Sequence, residues 1–215
     1  MALLSELSSL LFPVRCFGCR ELGFSICSDC RKIWNPHIYR NRFEELTVFS
    51  SIIYSPIAKN IILAAKEGSV KSADLLVKDA LKNSLKYLFE SHPVAALVPI
   101  PSQHTAIRRR GRDFLSEIAH DLGKFYGVGV LDLLEHNRRV QDQSRLGISE
   151  RHKNLNLALS INQRFSGNYP VQKVVILDDL LTTGATLSEA NRALRKAGFN
   201  VQAAATACVA VRRSN

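Results

Sequence analysis

The chain is poor in aromatic side chains, with Phe, Trp and Tyr making up 7% of its 215 residues. That scarcity argues against an extended base-stacking platform. No apolar run comes near the roughly 20 residues needed to cross a bilayer. There are no internal repeats and no low-complexity tracts, so solenoid and collagen-like architectures are excluded. The opening MALLSELSSLLFPVRC lacks the basic n-region and small-residue cleavage site of a secretory signal. Its Leu3, Leu4, Leu7, Leu10 and Leu11 fall at helical spacing and predict a short amphipathic helix. The expected location is cytoplasmic, with that helix available to a partner or to the inner face of a membrane. Acidic residues are the minority charge, 19 against 29 Lys and Arg, for a net charge of +10.

What is present suffices for a core. The chain is 46% hydrophobic and 22% charged, which fits one ordinary domain, or one domain with a small appendage. The basic excess suits a polyanion: nucleic acid, an acidic surface or a phosphorylated small molecule. A solvated basic surface would account for the same number. The arginines are clustered, however, with Arg108, Arg109, Arg110 and Arg112 in one expected loop and Arg138, Arg139 and Arg145 in another. Arginine gathered on loops points to binding.

Four of the five cysteines form a pattern: Cys16-x-x-Cys19, a seven-residue gap, then Cys27-x-x-Cys30. Paired CxxC turns aim four thiolates at one tetrahedral Zn²⁺. Disulfides are disfavoured because nothing suggests export, and a redox pair would not need duplicating. A closed four-thiolate site leaves no position for water, so its expected role is structural. Cys208, in AAATACVAV, reads as a core residue. His104, His120, His136 and His152 recur every sixteen residues without a short i, i+4 pair, and no metal is assigned to them.

After IWNPHIYRNRFEEL, which reads as a linker, strands and helices alternate. TVFSSIIY, VAALVPIP, VGVLDLL, KVVILDD and NVQAAATACVAV are strand candidates. SPIAKNIILAAKEG, ADLLVKDALKNSLKYLF, DFLSEIAHDLGKFYG and TLSEANRALRKAG are helices, the third with Asp113 as N-cap and Gly127 as terminator. This order argues an α/β fold with a mainly parallel sheet covered on both faces.

The stretch VVILDDLLTTGATL, residues 174–187, carries the chemistry. Parallel sheets bind ligands beyond the carboxyl ends of their strands. Asp178 and Asp179 fall at such an end, where adjacent carboxylates call for water, cations or hydroxyl donors. A ribose diol offers the donors, and Mg²⁺ the cation. LLTTGAT then enters a helix whose first N–H groups are unpaired. Thr182, Thr183 and Thr186 add hydroxyls, and Gly184 lets a ligand approach the backbone. That combination suits a phosphate monoester, so diol and phosphate sites together spell a ribose 5-phosphate. Thr186 and Glu189 fit a capping box. The stretch lacks the GK[ST] ending of a Walker A loop, and Gly127-Val-Gly129 lacks the third glycine of a dinucleotide fingerprint.

Residues 174–187 resemble the signature of type I phosphoribosyltransferases, and other segments narrow the resemblance to the ComF family. YSPIAKNIILAAKEG resembles the family's first motif, with Lys66 at its characteristic lysine. LVPIPSQHTAIRRRGRDF resembles its proline motif and RG loop, and QSRLGISERHKN, with Gln143, Leu146, Glu150, Arg151 and Asn154, resembles a further motif. The four-cysteine start matches the family's zinc ribbon. One departure stands out: many members read RGFNQ where this chain has Arg110-Gly111-Arg112-Asp113-Phe114.

The resemblance implies a type I phosphoribosyltransferase fold with an N-terminal four-cysteine zinc ribbon. The expected divisions are 1–35 for the helix and ribbon, 36–46 for the linker and 47–215 for the phosphoribosyltransferase-like domain. It implies binding of 5-phosphoribosyl 1-diphosphate (PRPP) with Mg²⁺ and structural Zn²⁺ on Cys16, Cys19, Cys27 and Cys30. By similarity, Asp178 and Asp179 hold the ribose hydroxyls as the catalytic pair, and Leu181, Thr182, Thr183, Gly184, Ala185 and Thr186 wrap the 5-phosphate. Lys66 faces the pyrophosphate from a loop after the first strand, although its residue pattern alone reads as an exposed helix-end lysine. Arg109, Arg110 and Arg112 belong to a hood loop closing over the substrate. The implied activity is phosphoribosyl transfer to an unidentified acceptor with release of pyrophosphate. The family's association with competence and DNA uptake also admits a non-catalytic, PRPP-sensing factor, with single-stranded DNA and a DNA-uptake helicase or membrane channel as partners.

Overall fold

The computed structural model of the chain describes residues 14–68, 70–137, 157–165 and 173–211. The expected amphipathic helix over Leu3–Leu11, the arginines 138, 139 and 145, and the QSRLGISERHKN segment lie outside the described residues.

Its elements are α1 (Ser28–Ile33), β1 (Tyr39–Phe43), β2 (Leu46–Ile53), α2 (Pro56–Lys66), α3 (Lys71–Ser91), β3 (Ala96–Pro99), α4 (His104–Arg110), α5 (Phe114–Tyr126), β4 (Gly129–Val130), β5 (Leu134–His136), β6 (Leu159–Ile161), β7 (Lys173–Leu181), α6 (Ala185–Lys196) and β8 (Asn200–Val209). A six-stranded sheet runs in the order β1-β2-β8-β7-β3-β4. All its pairings are parallel except β1 with β2. β5 and β6 form a separate antiparallel hairpin. This is the α/β architecture expected from the strand–helix alternation.

The helices follow from their sequences. Ser55 caps α2, its Oγ accepting the Ala58 N–H at 3.1 Å with Pro56 at the first position. Ala58, Ile61, Ile62 and Ala65 then bury one stripe. In α3 the buried stripe Ala73, Leu76, Val77, Ala80, Leu81, Ser84, Leu85 and Leu88 packs on β2 and β8. Hydroxyls fasten that contact: Ser84 Oγ meets Ser51 Oγ at 2.7 Å and donates to Thr206 O at 2.9 Å. α5 ends at Gly127 in the left-handed region (φ 68°), as its sequence predicts. Asp113 is its N-cap residue, but the carboxylate accepts from Ser102 Oγ at 3.0 Å instead of capping the helix.

Three expectations need correction. Residues 36–46 are not a plain linker, because Tyr39–Phe43 pair antiparallel with β2 as an edge strand. Tyr39, Asn41 and Phe43 are half-buried while Arg40 and Arg42 are exposed, a period-2 pattern that the polar composition hid. VGVLDLL contributes only Gly129–Val130 to the sheet before the chain leaves for the hairpin. The four-cysteine segment also shares the main core, since Trp34 is 3% exposed within it and Phe17 and Ile26 pack against it.

Candidate active site and cysteine cluster

The carboxyl end of β7 sits between β3 and β8, so it is flanked by strands on both sides. Asp178 and Asp179 are each 8% exposed there. Lys66, the last residue of α2, places Nζ 2.7 Å from Asp179 Oδ2, and Asp178 Oδ1 accepts the Asp179 backbone N–H at 2.8 Å. Burial pushes the Asp178 carboxyl well above its usual range, and the neighbouring Asp179 charge pushes it further. Burial acts the same way on Asp179, but the Lys66 ammonium more than offsets it and holds that carboxyl low. Desolvation alone would depress Lys66, and Asp179 reverses the sign. The two aspartates are therefore unlike: Asp178 is pushed toward its protonated form and Asp179 toward its ionised form. Lys66 is no free helix-end lysine, and it ends a helix rather than lying in a loop.

Around this pair the TTGAT loop turns into α6. Leu181, Thr183 and Ala185 are buried, and Gly184 precedes the helix at φ 80°. A Cβ on Gly184 would lie 2.6 Å from the Phe43 ring, so two separate constraints require glycine. The expected capping box does not form. Glu189 instead accepts the Leu159 N–H at 3.0 Å and pairs with Arg192 at 2.7 Å, fastening the β5–β6 hairpin to α6. The N-cap residue Gly184 offers no side chain to cap α6; Thr183 Oγ1 accepts the Ala185 N–H at 3.4 Å, which leaves the Thr186 and Leu187 N–H groups to a ligand or solvent. The Ser188 hydroxyl in that first turn is buried without a partner.

The arginine segment is not a loop. Arg108, Arg109 and Arg110 form the last turn of α4, which Gly111 closes at φ 73°. Arg109 Nη2 pairs with Glu67 Oε2 at 2.6 Å, and Arg110 Nε meets the same oxygen at 3.1 Å. Arg110 is only 7% exposed, and its Nη1 is buried with no partner. Its charge reaches Lys66, which it disfavours. Arg112 turns elsewhere, to Asp74 at 2.7 Å and Glu117 at 2.9 Å. It lines a groove of about 610 Å³ between α3 and α5 that none of the β7 carboxylates lines. The groove's side chains are a mixture of paired charges, and the converging chemistry is at β7.

Sequence reasoning missed three residues here. Glu67 gathers the arginines but looks like an ordinary helix-end carboxylate. Phe43 was in the supposed linker. Tyr54, leaving β2, has its phenol raised by burial and by the Cys208 and Asp179 charges. Cys208 is fully buried, as expected of a core residue.

The four Sγ atoms of Cys16, Cys19, Cys27 and Cys30 lie within 4.8 Å of one another. No cysteine is in a disulfide. Burial would raise the Cys16 thiol, but N–H groups of Cys19, Cys27 and Gly18 bring it down to about 6. A thiolate cradled by backbone N–H groups is the form a metal requires, whereas burial pushes the Cys30 thiol up, so that thiol would give up its proton only to the metal. The cluster fits a metal such as zinc.

Residues 105–215 match the phosphoribosyl transferase domain. Competence protein F of Haemophilus influenzae is 29% identical over 125 residues, 58% of this chain and 52% of that protein, so the match spans about half the relative's length. Among solved structures, an adenine phosphoribosyltransferase overlays at a TM-score of 0.44 with 14% identity, covering 85% of this chain and 89% of its own. The Saccharomyces cerevisiae adenine phosphoribosyltransferase complexed with D-2,5-dideoxy-2,5-imino-altritol 1,6-bisphosphate and adenine gives 0.43 and 15%, covering 86% and 89%. The Giardia lamblia enzyme with 9-deazaadenine gives 0.43 and 14%, covering 86% and 98%. The matched domain spans half the chain and contains both β7 and the TTGAT loop, and the chain belongs to the phosphoribosyl transferase domain family, with the relation to competence protein F supporting its ComF character.

Proposed function

We propose that this chain binds PRPP with Mg²⁺ at the end of β7 and transfers phosphoribose to an acceptor with release of pyrophosphate. The observation that carries the reading is the Lys66–Asp179 pair at 2.7 Å beside Asp178. A half-buried cation beside the two carboxylates supports a pyrophosphate meeting a ribose there. The partnerless Arg110 Nη1 supports the same anion position. In this reading the Asp178 and Asp179 oxygens orient the ribose hydroxyls. The N–H groups of the loop 181–186 and the α6 start hold the 5-phosphate. Lys66 and Arg110 stabilise charge on the departing pyrophosphate, and the carboxylates offset the positive charge growing on the ring. Oxygen donors of this kind suit Mg²⁺, which supplies further neutralisation of the pyrophosphate. Zn²⁺ occupies the four-cysteine cluster in a structural role. The ribbon and the phosphoribosyltransferase-like part act as the two working units of the chain, and the likeness to competence protein F supports a role in DNA uptake.

The test is magnesium-dependent consumption of PRPP, read as pyrophosphate released in the presence of nitrogenous acceptors. Wild-type turnover that disappears in the Asp178→Asn/Asp179→Asn chain supports transfer. Tight PRPP binding without consumption under any acceptor would replace transfer by sensing.

A further inference from the structure

The cysteine cluster and the β7 carboxylates are joined by one helix. Asn60 of α2 donates from Nδ2 to the Gly18 carbonyl at 2.7 Å, inside the cysteine segment. Gly18 is squeezed between the cluster and the helix: a Cβ there would lie 2.6 Å from Cys30 Sγ and 2.8 Å from Ile57 Cγ2. The same helix ends at Lys66, whose ammonium holds Asp179. From Asn60 to Lys66 is under two turns, about 9 Å of rigid helix. Between those two residues Ile61, Ile62 and Ala65 are buried in the core.

We propose that Asn60 is a positioning residue through which metal in the four-cysteine cluster sets Lys66, so that metal binding and PRPP binding favour one another. The inference rests on the PRPP reading above. With metal bound, the turn carrying Gly18 is fixed, and its carbonyl braces the first half of α2. Without metal, four thiols no longer hold that turn, and the brace at Asn60 and the packing at Ile57 loosen together. Lys66 then loses its set position against Asp179. Linkage makes the coupling reciprocal: whatever factor metal adds to PRPP affinity, PRPP adds to metal affinity. The carrier is a continuous packed element with contacts at both ends, which is the physical requirement for such coupling.

The test uses the full chain loaded with zinc and a chromophoric chelator that reports zinc loss. In the wild type, saturating PRPP with Mg²⁺ should strengthen zinc retention roughly tenfold, within the usual range of coupled sites. Asn60→Asp keeps the side chain's size but removes its N–H donors. It should still bind zinc and PRPP separately while the effect of one on the other falls toward unity. Asn60→Gln, which restores a donor on a longer arm, should recover part of the coupling, which a merely structural role would not predict. Equal zinc retention with and without PRPP, in wild-type protein shown calorimetrically to bind PRPP, overturns the proposal without using any variant.

If the wild type binds no PRPP, it is the functional reading that fails, and the coupling is judged by hydrogen exchange. Zinc removal should then cost α2 its amide protection as far as Leu63–Lys66. Unchanged protection there overturns the coupling on its own.

Discussion

Replacing Lys66 by methionine keeps most of the side chain's packing and removes its charge. The wild-type ammonium lies 2.7 Å from Asp179, with side chains 32% and 12% exposed. An exposed pair contributes about 1 kcal/mol or less, whereas removing one partner of a buried pair costs about 3–5 kcal/mol. The partial exposure of Lys66 puts this pair between them, at about 2 kcal/mol. For a chain of this length that is a fall in Tm of about 4–8 °C. The pH dependence has a definite sign. Asp179 is held low in the fold, so the pair's contribution is present above the ordinary carboxylate range and is lost as pH falls through the depressed folded value. Calorimetric melting of both proteins should show the full gap at pH 7.5 and a closing gap on acidification. The double variant Lys66→Met/Asp178→Asn should regain part of the loss, because the second change removes the carboxylate next to the stranded Asp179. Equal melting temperatures at pH 7.5 would refute Lys66 as the clamp on Asp179.

Asp178 titrates in the opposite sense. Its folded pKa is raised, so its cost is felt above the ordinary carboxylate range and vanishes below it. Asp178→Asn should therefore raise Tm at pH 7.5, leave it unchanged in acid and weaken PRPP binding, a trade of stability for function. Gly184→Ala must take both φ 80° and the Phe43 ring at 2.6 Å. It should lose about 1–3 kcal/mol in denaturant melts, and Phe43→Ala should relieve only the steric part. Glu67→Gln releases Arg109 and Arg110 from their shared carboxylate. It should cost about 1 kcal/mol of stability and tighten binding of inorganic pyrophosphate, measured by calorimetric titration.

Much of this is legible in the sequence. KVVILDD declares a buried strand with two charges at its end, and Cys16, Cys19, Cys27 and Cys30 declare their cluster by spacing alone. What was not legible depends on long-range partners. Lys66 and Asp179 are 113 positions apart, and nothing local distinguishes a helix-end lysine that finds a carboxylate from one that faces water. Glu189 fitted a capping box until a hairpin N–H and Arg192 claimed it, a case of tertiary contact overriding a local motif. The RRRGR stretch reads as a loop from its clustered arginines and its resemblance to a hood loop, yet its glycine is the left-handed cap that ends a short helix. β1 was hidden because an edge strand exposes one face, so Arg40 and Arg42 mask the alternation beneath them.

The proposed function stands on a ribose-phosphate site at the end of β7. Its most direct test is calorimetric titration of PRPP with Mg²⁺ into the zinc-loaded protein at pH 7.5, side by side with Asp179→Asn. Saturable binding in the wild type that weakens by about tenfold or more in the variant, the scale of a lost charge-assisted hydrogen bond, is the predicted result. Absence of binding to a folded wild-type chain, or equal affinity in the two proteins, would contradict it.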